Sequence, residues 1–249
     1  MRKKKFILSF IIVHSILVCF AQKIEHNQTN WFAYVGQYNV SEKWGYHIEA
    51  QFRLDDELSR TNQNLFRLGG FYNYNKNIKF TVGYGLINTL NAQFNDYFNE
   101  DRIWEQVLLN HKWKDNKNTF TNRFRLEQRF VDKLGLVSGV SEKIATNYQN
   151  RLRYLNRNLF HVMNFKSGNE ELYLLLQDEV FMNLGNNKVN NKFLDQNRLH
   201  IGIGFNYKNS IQFEVAYMNH FINSNSGNDV MNHTVSLTLL QNLIFYKEE

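Results

Sequence analysis

The sequence predicts an all-β protein: an antiparallel transmembrane β-barrel of the outer-membrane type, with ten to twelve strands and twelve favoured. Three observations lead there. Apolar and polar residues alternate with a period of two through nearly the whole chain after residue 30, and helical periodicity is almost absent. Most alternating runs are 9–14 residues long, beyond the ~5–6 of soluble sheets and enough for the ~9–11 of a tilted membrane strand. Aromatic residues gather at the ends of these runs beside the shorter connections, where a headgroup girdle is expected.

The chain opens on an address. Arg2-Lys-Lys-Lys5 precedes an apolar run from Phe6 to Phe20, and Ala21 supplies a small residue at a cleavage point. A basic head, a short apolar core and a small residue describe a secretory signal peptide over residues 1–21, leaving a single barrel domain over 22–249. An uncleaved anchor and acylation at Cys19 are the alternatives, the latter disfavoured by Val18 where a small residue is wanted. Cleavage removes four of the 29 basic residues and no acidic ones, so the charge falls from +6 to 25 basic against 23 acidic. It also removes the sole cysteine. A nucleic-acid partner, the first inference from a basic chain, loses its support.

Eleven runs follow, near 31–39, 44–54, 62–74, 78–89, 102–113, 118–130, 147–163, 171–183, 197–207, 211–221 and 232–245. The clearest places Trp44, Tyr46, Ile48, Ala50, Phe52 and Leu54 on one face and Gly45, His47, Glu49, Gln51 and Arg53 on the other. Two places are irregular: neither face of 102–113 is cleanly apolar, and Asp178 interrupts the apolar face of Leu172, Leu174 and Leu176.

Alternation alone leaves open whether the apolar face points out to lipid or in to a lumen. Shorter connections (40–43, 75–77, 114–117, 167–170, 208–210) alternate with longer ones (55–61, 90–101, 131–146, 184–196, 222–231). Short periplasmic turns opposite long external loops are the outer-membrane asymmetry, so the apolar face is read as lipid-facing. Such barrels have an even strand number. That parity predicts either a twelfth strand within 22–30 or a wall of ten that excludes 31–39.

Composition excludes other classes. A mean hydropathy of −0.50 argues against several apolar helices of ~20 residues each. One cysteine excludes a disulfide scaffold. A 15% share of aromatic residues argues against disorder.

Several short motifs occur in order: Trp31-Phe-Ala-Tyr34, the run Trp44 to Arg53, Glu100-Asp-Arg-x-Trp-x-Gln106, Arg123-x-Arg-x-Glu-Gln-Arg129, Glu179-Val-Phe-x-Asn183 and Asp195-Gln-Asn-Arg-Leu199. Together they resemble the exported family known as domain of unknown function 2490, over essentially all of the chain after the leader. The resemblance implies an outer-membrane barrel and supplies no catalytic residues.

The seven histidines outside the leader form no His-Glu-x-x-His or Cys/His metal pattern, and neither a phosphate loop nor a Gly-x-Ser-x-Gly elbow is present. No metal or cofactor is expected. Gly83-Tyr-Gly85 and Gly202-Ile-Gly204 read as relief of crowding on one strand face. The Asn-rich segment 185–191 reads as a solvated turn.

The informative set is the polar face. It carries Arg53, Arg67, Arg123, Arg125, Arg129, Arg151, Arg153, Arg157 and Arg198 against Glu49, Glu127, Glu179 and Glu214. These residues predict a lumenal charge cluster. It is either a packed interior in which Arg and Glu satisfy one another, or a cationic constriction favouring anions. A catalytic use of His47 with Glu49, or of His200 with Glu214, is the third reading; Ser141, Ser210 and Ser236 sit in no nucleophile context.

The expectation is a non-enzymatic barrel, structural or passing small anions, with outer-membrane lipid and the barrel-insertion machinery as partners. An outer-membrane enzyme acting on lipid or lipopolysaccharide, and a soluble periplasmic lipid-binding barrel with the pattern inverted, are the alternatives.

Overall fold

The computed structural model describes residues 23–55, 58–114, 117–165, 170–185, 187–208, 210–225 and 227–246. The expected signal peptide lies outside them. Eleven strands follow in order: β1 (Ile24–Asn39), β2 (Trp44–Asp55), β3 (Arg60–Asn73), β4 (Ile78–Asn91), β5 (Asp96–Trp113), β6 (Asn118–Val137), β7 (Val140–Asn164), β8 (Glu170–Leu184), β9 (Leu194–Tyr207), β10 (Ile211–Ile222) and β11 (Asp229–Ile244). All eleven expected runs are present, and neighbours in sequence pair antiparallel around a closed barrel.

Closure departs from expectation. Among the described residues there is no twelfth strand; residues 24–30 extend β1. The barrel closes instead by a parallel pairing of β1 with β11, from Ile24↔Asp229 to Asn39↔Ile244. Closure requires only that both free edges be paired, and a parallel ladder does this as completely as an antiparallel one. Similar side chains meet along the seam: Thr29 and Thr234 hydroxyls are 2.6 Å apart, and the Asn27 amide donates to Asn232 at 3.3 Å. On the outer face the His26 and His233 rings stack at 5.3 Å.

The connections also differ. Strands run on into most of the segments expected as longer loops. β6 and β7 form one long hairpin closed by Ser138 and Gly139, both at positive φ (51° and 84°), the backbone of a type I′ turn. Its tip outreaches the wall: pairing of β6 with β5 ends at Glu100↔Val131, and pairing of β7 with β8 ends at Asn150↔Leu184. Only 185–193 and 223–228 remain longer than the turns at the opposite rim. The two rims therefore differ mainly in strand extension.

The apolar face points outward. Val82, Leu86, Ile201, Ile203, Val215 and Leu237 are exposed on the wall. Trp44, Tyr74, Phe80, Tyr207 and Phe213 are exposed near the short-turn rim. Asp178 keeps its outward position and accepts a hydrogen bond from the Asn197 amide at 2.7 Å. β5 resisted assignment because its inward face mixes Glu100, Arg102 and Trp104, while Glu105 points outward.

Inward glycines face large side chains. Gly69 and Gly83 are direct partners across β3 and β4, and the Trp104 indole lies over both. A Cβ at Gly83 would stand 2.5 Å from that ring and 2.4 Å from the Leu68 carbonyl. Overpacking of this kind costs about 1–3 kcal/mol, so Gly83→Ala should lower the temperature at which the folded band is lost on unheated gels.

The parallel seam is tested by crosslinking. Paired Cα atoms on neighbouring strands lie about 4.8 Å apart, inside the ~4.4–6.8 Å a disulfide spans. A Thr29→Cys/Thr234→Cys variant should therefore oxidise to an intramolecular disulfide. A twelve-stranded or open wall would leave both thiols free.

Candidate functional site

Inward side chains from β2 to β10 fill the barrel with charge. At its centre is Glu127, with no exposed surface. Arg153 donates to its Oε1 at 2.6 Å and Arg151 to its Oε2 at 2.7 Å. Arg67, Arg125 and Arg102 stand further off, at 3.6, 3.9 and 4.0 Å. Five guanidiniums thus surround one carboxylate. A buried charge is tolerable only when paired and hydrogen-bonded, and Glu127 satisfies this through neighbouring strands.

Other acids extend the network. Toward the rim of the longer connections, Glu100 takes a bidentate bond from Arg129, at 2.5 and 2.9 Å, and a second from Arg102. Asp195 accepts from Arg151 at 2.9 Å. Toward the short-turn rim, Glu179 binds Arg123 at 2.5 Å and Arg153 at 2.7 Å. Glu49 binds Arg67 at 2.9 Å, and Glu214 binds Arg157 and the Tyr173 hydroxyl. The planar guanidinium fork suits this sharing, since one arginine can serve two carboxylates.

Inward rings hold the arginines that acids do not. Arg125 lies over Trp104 at 4.6 Å, Arg198 over Phe181 at 4.4 Å and over Trp31 at 4.9 Å, and Arg53 over Trp31 at 3.8 Å. Cation–π contact supplies part of what a carboxylate would. Arg53 otherwise bonds Gln51 and Gln63, and Arg198 bonds Gln196.

The 185–191 segment is not a solvated turn throughout, contrary to expectation: Asn187 and Asn190 are buried. The Asn190 amide donates to Asp195 and to the Asn223 carbonyl, both at 2.8 Å, while its own carbonyl accepts from Asn183 at 3.1 Å. Its backbone needs partners, and the polar lumen provides them. Asn190 is thereby tied to the charge network through Asp195 and through Gln149, which accepts from Arg129.

All thirteen residues of the expected cluster, from Glu49 to Glu214, face the lumen, and most join one network. Sequence reasoning missed Glu100 and Arg102, which share a parity with Trp104 that was readable in the Glu100–Gln106 motif. Asp195 was hidden by a register shift opposite Phe181/Met182. Nothing in the pattern distinguishes the buried Asn190 from its neighbours. Of the histidines, His47 approaches Glu49 at 3.4 Å, His200 bonds Gln177 at 3.3 Å and His220 bonds Gln196 at 3.1 Å. Among the described residues no three His, Cys, Asp or Glu could hold a metal.

Fold and site together define a closed all-β barrel of eleven strands, apolar outside and filled with paired charge. The chain belongs to the family described as protein of unknown function (DUF2490), which it matches over residues 28–231. No curated protein matches it. Among solved structures it is similar to the β-domain of the Bordetella autotransporter Brka, at 8% identity and a TM-score of 0.45, over 76% of this chain and 80% of that one.

Breaking a buried ion network by removing one partner costs about 3–5 kcal/mol, against ~0–1 for an exposed pair. Glu127→Ala should therefore lower the unfolding midpoint far more than Asp55→Asn, which releases the half-exposed Arg60. Comparing the two denaturation curves in detergent checks this.

Proposed function

We propose that this is an outer-membrane barrel of structural or ligand-holding role, without catalytic activity, whose lumen is closed to general diffusion. The observation that carries the closed-lumen reading is the Glu127 layer. Its carboxylate and the arginines around it are buried, and on the side of the longer connections Asn190 is buried against Asp195.

The outer wall supports membrane residence. A continuous apolar belt of this extent would be a liability in water, where exposed apolar patches rarely exceed a few hundred Å². Aromatic rings near the short-turn rim suit the headgroup boundary. Lipid is then the principal partner and the barrel-insertion machinery the route. The inverted, soluble lipid-binding barrel has less support, since the lumen carries the charges.

The absence of an enzymatic role is supported by the partners that already engage the lumenal histidines and acids. Glu214 is engaged by Arg157 and Tyr173, and His200 by Gln177, so that expected pair does not form a catalytic dyad. His47 and Glu49 lie close, but Glu49 also accepts from Arg67 and Gln51.

Passive anion passage is the second reading, favoured by the excess of arginine, and it requires the Glu127 layer to part. Two measurements decide between them. The protein should fractionate with the outer membrane as a heat-modifiable band. In planar bilayers the wild-type protein should give no steady current. A steady anion-selective current, lost in Arg123→Ala/Arg125→Ala, would favour passage.

A further inference from the structure

We propose that the short-turn half of the lumen is a binding site for one small oxyanion of the phosphate or carboxylate class, entered from the short-turn rim and ending against the Glu127 layer. The dead end rests on the closed-lumen reading; the binding does not.

The first support is where the excess charge lies. Arg102, Arg129 and Arg151 are matched by Glu100, Glu127 and Asp195. Apart from Arg53, held by Gln51, Gln63 and Trp31, the surplus falls in the other half, where a cavity of about 400 Å³ is lined by seven Lys or Arg side chains and by only three acids, Glu49, Glu179 and Glu214. Each of these acids is engaged by arginine. Among the described residues, Lys79, Arg125 and Arg198 form no hydrogen bond to a carboxylate. Lys79 bonds Gln37 at 3.1 Å, Arg125 bonds Gln106 at 2.7 Å, and Arg198 bonds Gln196 at 3.0 Å.

The second support is donor capacity. Arg125 Nη1 and Arg198 Nε are buried without a hydrogen-bond partner, and both residues line the cavity. The Glu127 carboxylate at 3.9 Å from Arg125 Nη1 and the aromatic rings compensate these cations in part, but a buried donor without a hydrogen bond still carries a desolvation penalty. An oxyanion answers it with several acceptor oxygens and a compensating charge. A cation finds no carboxylate here that arginine does not already hold, so the site discriminates by sign.

The third support is access. A second cavity of about 200 Å³ lies at the short-turn rim, lined in part by Ser210 and Asn242. It shares Val35, Gln37, Lys79 and Leu240 with the larger one. Lys79 is the second residue of β4, so a cation stands where the two spaces meet. Aliphatic residues, including Leu108, Leu155 and Leu175, also line the larger cavity. A free oxyanion and the head of a small amphiphile share the same chemistry at the arginines.

The test uses the full chain folded in detergent, its native state verified by heat-modifiable migration. Inorganic phosphate and hexyl phosphate are titrated separately by calorimetry. Saturable binding of inorganic phosphate supports the site and assigns it to a free oxyanion; binding of hexyl phosphate alone supports it and assigns it to an amphiphile head. Arg198→Gln and Lys79→Gln should each weaken binding about tenfold, the worth of one charge-assisted hydrogen bond. Lys143→Gln, on the protruding hairpin, should leave it unchanged. If Arg198→Gln fails to fold, Lys79→Gln still decides, since that lysine's hydrogen bond is to Gln37. No binding of either probe by folded protein overturns the proposal, as does unaltered affinity in the folded variants. Failure of the closed-lumen reading would show separately, as current in the bilayer.

Discussion

The sharing of few carboxylates among many guanidiniums is the interaction on which the rest of this barrel depends. An apolar exterior commits every alternate residue to the inside, and these strands place arginine there repeatedly. Isolated, such charges could not be buried. They are held because each central acid bridges strands: Glu127 joins β6 to β7, Glu179 reaches both Arg123 on β6 and Arg153 on β7, and Glu100 ties β5 to β6. Backbone ladders close the wall, and the ion network gives the wall a solid interior.

Other features follow from fitting that network into the bore. Trp104 takes up space and offers its face to Arg125, and it fits because β3 and β4 carry glycines beneath it. Tyr173 presents its hydroxyl to Glu214 over Gly204, where a Cβ would stand 2.2 Å from the ring. The register shift near Asp195 brings an acid within reach of Arg151. Glycine pairs, aromatic anchors and a bulge thus answer one packing problem.

Much of this was legible in the sequence, for a definable reason. Side chains alternate across a strand with no tolerance for drift, so the faces of β2, β6, β9 and β10 could be assigned residue by residue, and the arginine-rich face with them. The strand count of eleven was also legible. An even count is expected only because even parity is the habit of single-chain bacterial barrels, but parity governs which rim each end of the wall reaches and leaves the energetics of pairing untouched. Loop lengths misled because Asp132, Lys133 and Glu142 read as solvated loop while they sit on a hairpin outside the apolar belt. Pair identities were illegible in principle. Alternation gives the face of Glu127, but its distance to Arg67, three strands away, depends on stagger around the whole barrel.

The seam and the charge network are linked by side-chain volume. β1 and β11 bring small or neutral residues to the lumen, among them Thr29, Ala33, Val35, Thr234, Ser236 and Thr238. Parallel pairing is slightly weaker per residue than antiparallel, and small side chains that hydrogen-bond across the join, as Thr29 does with Thr234, suit it. Arginines reach inward from β2, β3, β5, β6, β7 and β9, while past Trp31 the seam offers little bulk and no acid to meet them in the short-turn half. Space therefore remains beside the seam, bordered by cationic side chains. The manner of closure thus accounts for both the position of the cavity and the sign of its charge.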